Sequence, residues 1–152
     1  MIAHRFRTAA TLPLSRERVF PFFADASNLE RITPPELRFR IITPAVEMRE
    51  GALIRYSLGL FGVRFQWLTR IAVWNPPYEF VDEQLKGPYK KWVHTHRFSD
   101  DHGHTVIDDE VEYALPFQPF GEVAAPLVQA QVRRIFRYRA GAIEAALRDG
   151  LR

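Results

Sequence analysis

The chain concentrates its histidines in one stretch, residues 87–113, which holds four of the five beside a run of carboxylates. Within it, the run KWVHTHRF carries His94 and His96 two residues apart, so both side chains fall on the same face of a strand. The aromatic residues Trp92 and Phe98 share that face, which indicates that it is buried. Two inward histidines can bind a metal, act as an acid or base, or orient a polar group of a ligand.

A single carboxylate, Asp109, falls on the apolar face of the next strand-like run, TVIDDEVEYAL. The other acids of that run point to the opposite, solvent-facing side. A turn at residues 101–103 brings either His94 or His96 across the ladder from Asp109, and the register decides which. The pattern therefore predicts a small inward cluster of histidine and aspartate.

The preceding run, YEFVDEQLK, offers Asp82 and Gln84 as further members of this cluster. A turn at residues 87–88 would bring Asp82 beside His94. Val81 and Leu85 compete for the inner side of the strand, so the direction of Asp82 stays open at this level.

Three chemical interpretations of the cluster can be compared from the sequence. An H-x-H pair with loosely placed carboxylates is a weak metal pattern, and His102 and His104 lie at the far end of the strand, so we expect no metal and no cofactor. The absence of cysteine excludes thiolate ligands and disulfides. No serine has a base placed beside it, so a serine-based triad is excluded. Acid–base catalysis and ligand orientation remain.

The elements that position these residues follow from their periodicity. The sequence predicts seven strand-like runs, and the short turns between the last six require antiparallel hairpins: 4–12, 37–43, 52–60, 63–74, 78–86, 91–98 and 105–115. Between the first two we expect a short helix that begins after Ser15 and is broken or kinked by Pro21. A second short helix is expected over about 26–32.

A long amphipathic helix is predicted from residues 123–125 to about residue 148, because apolar residues recur there at helical spacing. Pro126 is compatible with its first turn only. Arg139 falls near the centre of the apolar arc, where an unpaired charge is costly. The arginine must therefore either snorkel toward solvent or pair with a carboxylate, and Asp109 and Asp82 are the candidate partners. The order of elements predicts an α+β domain of residues 1–150, with a seven-stranded antiparallel sheet curled around the C-terminal helix.

Length and charge narrow the class of protein. The 152 residues suit one domain with a sizeable core. The net charge of +3 comes from arginines scattered along the chain, so nucleic acid is not an expected partner. No run approaches the roughly 18 apolar residues of a membrane span, and the N-terminus lacks a signal-peptide pattern. We expect a cytoplasmic protein without stable membrane insertion.

Four stretches, VFPFFADASNLERITPPELRF, GPYKKWVHTHRF, DEVEYALPFQPFG and RRIFRYR, resemble the SRPBCC ligand-binding domains. That superfamily includes START, polyketide cyclase/dehydrase and birch-pollen-allergen-like proteins, and the resemblance extends to small bacterial members of unassigned activity. It spans nearly the whole chain and implies a helix-grip fold with a deep apolar cavity between the sheet and the C-terminal helix. Members bind lipids, sterols, quinones, hormones or polyketides, and only some are enzymes.

Residues and resemblance together predict a protein that holds a small-to-medium hydrophobic molecule, such as a lipid, a quinone or a polyketide-like compound. The expected ligand-binding residues are Phe65, Trp67, Trp92, His94, His96, Asp109, Tyr113 and Arg139. The alternative is a cyclase/dehydrase-type enzyme on aromatic or polyketide substrates. In that case His94 or His96 acts as the general base and Asp109 orients it.

Overall fold

A computed structural model gives the structure of residues 1–149. The described chain consists of seven strands, three α-helices and two short 3-10 helices. In chain order these are β1 (His4–Leu12), α1 (Arg16–Ala24), α2 (Asn28–Arg31), a 3-10 helix (Pro35–Leu37), β2 (Arg40–Ile41), β3 (Leu53–Leu60), β4 (Val63–Asn75), β5 (Glu79–Lys86), β6 (Lys91–Asp101), β7 (His104–Ala114), a 3-10 helix (Phe120–Ala124) and α3 (Ala125–Asp149).

The strands form one antiparallel sheet in the order β1-β7-β6-β5-β4-β3-β2. Strands β2 to β7 are joined in sequence, and β1 returns to pair with β7 at one edge. This arrangement, with the long helix α3 packed on the sheet, is the helix-grip α+β fold that the sequence predicts. The histidine-bearing strand β6 therefore lies near the middle, with β5 on one side and β7 on the other.

Two tight turns fix the pairing of the strands that carry the polar cluster and its neighbours. The β6–β7 hairpin turns through His102 and Gly103, with φ of 53° and 84°, and the β3–β4 hairpin turns through Phe61 and Gly62, with φ of 51° and 79°. Positive φ at both central residues is the two-residue turn that matches the twist of a hairpin. The β6–β7 turn sets His96 opposite Asp109.

The sheet curls around α3 because its strands twist and because β4 is irregular against β5. The β4–β5 pairing shifts register at Leu68/Thr69 and again between Ile71 and Val73. Such irregularities bend a strand and increase its local twist. The concave face that results covers one side of the helix.

Helix α3 buries four residues, Val128, Val132, Phe136 and Ile143, against this concave face. Their spacing of four, four and seven residues places them on one stripe of the helix. Burial of each such side chain contributes about 1.5–3 kcal/mol relative to exposure. Arg139 falls on the same stripe, as the sequence predicts, and is half-buried.

Helices α1 and α2 cover the end of the sheet opposite the β3–β4 turn. Phe20 of α1 packs edge-on against Phe98 and Phe80, with ring centroids 5.1 and 6.1 Å apart. Phe23 packs against the same two rings. These contacts anchor α1 to strands β5 and β6.

Two details differ from the sequence-based prediction. Of the two outcomes expected at Pro21, a break does not occur, since helix α1 continues through Pro21 to Ala24. Pro21 and Glu17, whose carbonyl loses its helical partner, are both exposed, so water can satisfy that carbonyl. The run 37–43 yields only the two residues of β2, because Arg38 adopts a left-handed conformation before it and Pro44 follows closely.

Candidate functional site

A cavity of about 140 Å³ lies between the concave face of the sheet, α3 and the short helices. Its walls are mostly apolar and aromatic, and they include Trp67, Tyr89 and Trp92, whose rings contact one another at centroid distances of 4.8–5.7 Å. Polar side chains also line it: Asp25, Asn28 and Thr33 near the short helices, and Tyr56, Thr69, Asp82, His94, His96 and Arg139 on the sheet and α3. An apolar chamber with a few convergent polar groups is the usual form of a small-molecule site.

The polar side chains on the sheet form a band across its inner face. The hydroxyls of Tyr56 on β3 and Thr69 on β4 lie 3.2 Å apart, and Asp82 on β5 faces the same side. His94 and His96 continue the band on β6. The alternation of side chains places each of these polar residues between apolar neighbours on its own strand.

Two His–Asp hydrogen bonds organise the centre of the band. His94 Nε2 lies 2.6 Å from Asp109 Oδ1 on β7, and His96 Nε2 lies 2.6 Å from Asp82 Oδ2 on β5. Both pairs are diagonal, since the residues directly opposite are Val111 for His94 and Phe80 for His96. Each histidine also approaches the second carboxylate, with His94 Nδ1 3.7 Å from Asp82 and His96 Nδ1 3.4 Å from Asp109.

The imidazole rings are held in a stack within this network. The rings of His94 and His96 lie 3.5 Å apart at 29°, and the ring of Phe80 lies 3.9 Å from His96 at 14°. Both histidines are buried, with exposed fractions of 3% and 6%. Rotation of either ring would break a hydrogen bond and the stack.

Burial and, second, the charge of the stacked His94 together lower the pKa of His96 to about 4, against the raising effects of Asp82 and Asp109. His96 is therefore neutral at pH 7. A neutral imidazole carries one N–H, which the 2.6 Å contact assigns to the bond with Asp82.

Burial alone would raise the pKa of Asp82 and of Asp109, but the histidines lower both below the ordinary value. For Asp82 the hydrogen bond from His96 is the largest lowering effect, and for Asp109 it is the hydrogen bond from His94. The charge of Arg139 acts on both carboxyls in the same direction. The two acids are therefore ionised at neutral pH inside a largely buried site.

The expected ion pair of Arg139 with Asp82 or Asp109 is wrong. Within residues 1–149 the guanidinium forms no salt bridge, and one oxygen of each carboxylate is engaged by a histidine. Arg139 instead lies over the ring of Phe136, at 5.1 Å from its centroid, and its Nε is buried without a hydrogen-bond partner in the described chain. The arginine thus lies at the site as a donor that no acid of the cluster satisfies.

The structure brings together part of the predicted ligand-binding set. Trp67, Trp92, His94, His96 and Arg139 line the cavity, and Asp82 joins them.

Three predicted ligand-binding residues lie outside the cavity walls. Phe65 is half-buried against the part of the core that contains Leu58 and Trp67, and Tyr113 packs with Leu115 beneath the start of α3. Asp109 sits behind His94 and faces a separate space of about 20 Å³ that Arg139 also borders. A side chain that points to the inner face of the sheet therefore does not always contact the cavity.

Gln84 was expected near the cluster but has a different role. Its side chain accepts a hydrogen bond from the Tyr89 N–H and donates one to the Tyr89 carbonyl, at 3.1 and 2.7 Å. These bonds brace the β5–β6 turn. The bent geometry of that turn, which the sequence does not specify, decides where Gln84 points.

The sequence reasoning overlooked Tyr56, Thr69 and Phe80 as cavity residues. A signal for the first two was present, because each is a polar residue between apolar ones at every second position of its strand, as in Ile54-x-Tyr56-x-Leu58 and Trp67-x-Thr69-x-Ile71. The stacking of Phe80 on His96 requires the strand register and has no such signal.

The residues that could hold a metal are Asp82, His94 and His96, whose ligand atoms lie within 4.8 Å of one another. Two imidazoles and a carboxylate suit a transition metal. The 2.6 Å contacts within the cluster are, however, the lengths of charge-assisted hydrogen bonds. Both imidazoles are thus already hydrogen-bonded to carboxylates of the same cluster.

The outer face of α3 is basic and partly paired. Arg134 bonds Glu36 at 2.8 Å, and Arg148 bonds Glu144 one turn away at 2.5 Å.

Among residues 1–149, none of the helices combines the length and apolarity needed to cross a bilayer.

Comparison with known proteins establishes the fold. No family model matches the sequence, and no curated protein is similar enough in sequence to count as a relative. A protein of Thermus thermophilus has 17% identity, a TM-score of 0.80, and alignment over 97% of this chain and 99% of its own. The Zhui aromatase/cyclase of a Streptomyces species has 16% identity and a TM-score of 0.80, over 99% and 97% of the two chains.

A START-superfamily protein of Mycobacterium smegmatis has 13% identity and a TM-score of 0.73, over 96% of this chain and 98% of its own. At such identities the likeness establishes the shared architecture, and the chemistry has to be argued from the site.

Proposed function

We propose that this protein, which has the helix-grip fold of the SRPBCC proteins, binds a small-to-medium hydrophobic molecule in its internal cavity, in the cytoplasm. The observation that carries the proposal is the mostly apolar cavity of about 140 Å³ between the sheet and α3. Well-packed cores leave few voids larger than a water molecule. A space of this size, lined by aromatic rings, is consistent with a bound organic molecule rather than with incomplete packing.

The polar band supports a ligand with one polar end. Trp67, Tyr89 and Trp92 form a cluster of aromatic rings at one part of the wall, and His94 and His96 form the polar part beside it. An amphipathic lipid, a quinone or a polyketide-like compound has this distribution of apolar body and polar group.

Native mass spectrometry of freshly purified protein, before and after organic extraction, tests the proposal. We expect an organic mass on the protein that extraction removes. A cavity-filling variant, Ile135→Trp, adds bulk at a residue that lines the cavity and should lose the adduct. Ile42→Trp makes the same change at an exposed position and should retain it. Protein at its bare mass that also fails to take up any added apolar compound would contradict the proposal.

A second candidate function, a cyclase/dehydrase-type reaction on an aromatic or polyketide-like substrate, has one specific observation in its favour. His94 lines the cavity, and Asp109 holds its Nε2 from behind, outside the cavity wall. A carboxylate that orients an imidazole from the side away from the substrate is the arrangement of a general base and its positioning residue. The likeness to an aromatase/cyclase agrees with this candidate at the level of the fold.

Proton abstraction next to a carbonyl can be tested with 2-tetralone in D₂O, followed by NMR. The enzyme candidate predicts faster exchange of the protons beside the carbonyl with wild-type protein, lost in His94→Gln and retained in His102→Gln. Exchange at the rate of buffer alone would remove this candidate and leave ligand binding unaffected.

A further inference from the structure

The cavity wall carries two buried hydrogen-bond donors that the protein itself leaves without an acceptor. Trp67 is 4% exposed and its indole Nε1 has no hydrogen-bond partner among residues 1–149. Arg139 Nε is buried and equally without a partner in the described chain. Both residues line the same cavity. A buried donor without an acceptor costs about 1–3 kcal/mol, so two such donors at one cavity need a physical explanation.

The neighbouring residues do not supply the missing acceptors. Tyr56 and Thr69, the hydroxyls nearest to Trp67 along the strands, bond to each other at 3.2 Å. Asp82 and Asp109 each accept from a histidine through one oxygen, Oδ2 of Asp82 and Oδ1 of Asp109, and among residues 1–149 neither carboxylate is hydrogen-bonded to Trp67 Nε1 or Arg139 Nε. An indole N–H and a guanidinium donate and cannot accept, so a group that satisfies them must be an acceptor.

The charge of the site decides which kind of acceptor is suitable. Two carboxylates, Asp82 and Asp109, lie in one cluster with the guanidinium of Arg139 and the imidazole of His94, and His96 is neutral at pH 7. A further anion would add a third negative charge to a buried cluster, which is unfavourable at short range in a low-dielectric interior. A neutral oxygen can accept hydrogen bonds from the two donors without adding a negative charge to the cluster.

We propose that Trp67 and Arg139 form a polar subsite for a neutral carbonyl oxygen, so that the ligand is a ketone, quinone or ester with an apolar body. This inference rests on the proposed function, because it assumes that the cavity is occupied by a hydrophobic molecule. It narrows that function from hydrophobic ligands in general to those with an uncharged carbonyl, and excludes plain hydrocarbons, amines and carboxylates as preferred ligands.

A matched set of naphthalenes tests the subsite. Equilibrium dialysis measures the dissociation constants of 2-acetylnaphthalene, 2-ethylnaphthalene and 2-naphthoate, which share one ring system and differ in the side group. We expect the ketone to bind at least tenfold more tightly than the ethyl compound, although it is the more water-soluble of the two. We expect 2-naphthoate to bind more weakly than the ketone.

Two variants and two matched controls assign the preference to the subsite. Trp67→Phe and Arg139→Met each remove one donor and keep an apolar side chain, and each should reduce the preference for the ketone by severalfold. Trp74→Phe, outside the cavity wall, and Arg137→Met, on the exposed face of α3, should leave it unchanged. Circular dichroism of every variant confirms that it is folded before its dissociation constants are compared.

Each outcome has a distinct meaning. Equal binding of the ketone and the ethyl compound, or a preference that persists in both donor variants, overturns the carbonyl subsite and leaves the proposed function intact. Tightest binding of 2-naphthoate overturns the neutral character of the acceptor. Failure of all three compounds to bind wild-type protein overturns the subsite. Native mass spectrometry then shows separately whether the cavity holds another organic molecule.

Discussion

Replacement of His96 by Gln should remove a large part of the acid sensitivity of this protein. His96 is buried between Phe80 and His94 and donates to Asp82. It is faced by two carboxylates, Asp82 and Asp109, by the second imidazole and, more distantly, by Arg139. Gln keeps an amide N–H that can reach Asp82 but cannot be protonated in this range.

The expected magnitude follows from the two pKa values of His96. Burial first, and the charge of His94 second, lower its pKa from 6.5 to about 4 in the folded protein. The unfolded chain therefore binds a proton between these pH values and the folded chain does not, so acid favours unfolding. Stability from this residue is fully present above pH 6.5 and is lost as pH falls to 4. The loss amounts to about 3 kcal/mol by pH 4.

Urea unfolding of wild type, His96→Gln and His102→Gln at a series of pH values from 7.5 to 4 measures this effect. His102 is 95% exposed in its side chain, so His102→Gln controls for the loss of a histidine as such. The wild type and the control should lose about 3 kcal/mol more than His96→Gln over this range. The pKa values of Asp82 and Asp109 lie below the ordinary carboxyl value, so their contribution is lost at still lower pH.

A parallel loss of stability in wild type and His96→Gln, to within about 1 kcal/mol, would refute the reasoning. It would mean that His96 is protonated in the folded protein at mildly acidic pH, and hence that the carboxylates outweigh burial.

Three further predictions concern other positions. Arg139→Met should lower stability at pH 7 by less than about 3 kcal/mol, the cost of breaking a buried ion pair, and this deficit should shrink as the pH falls through the carboxyl range, because the charge of Arg139 stabilises both ionised carboxyls and lowers their pKa; a deficit above about 3 kcal/mol at pH 7, or one that does not shrink in acid, would contradict this. Phe98→Ala should reduce the free energy of unfolding by about 3–5 kcal/mol, measured by urea, because Phe98 is 2% exposed and anchors α1; a loss below about 1 kcal/mol would contradict that anchoring. His102→Leu should stay within about 0.5 kcal/mol of wild type, whereas His94→Leu should cost several times more, and equal effects would contradict the inward assignment.

The architecture could be predicted because its signals are local. Alternation of polar and apolar residues marked the long strands, short turns required antiparallel pairing, and the helical spacing of apolar residues marked α3 and placed Arg139 on its buried stripe. The prediction was wrong where a local pattern depends on tertiary support. The run around Phe39 has strand-like residues, yet only Arg40 and Ile41 find a partner strand.

The site could be predicted in its residue types and not in its contacts. The sequence by itself determined that His94, His96 and Asp109 face inward, since alternation along a strand leaves each residue one side to occupy. The tertiary structure alone decided that Asp82 completes the network, because twist and register make its bond to His96 diagonal. It also left Arg139 without an ion pair, because twist and register bring Asp82 and Asp109 to the histidines of β6 and not within reach of the side chain from the helix.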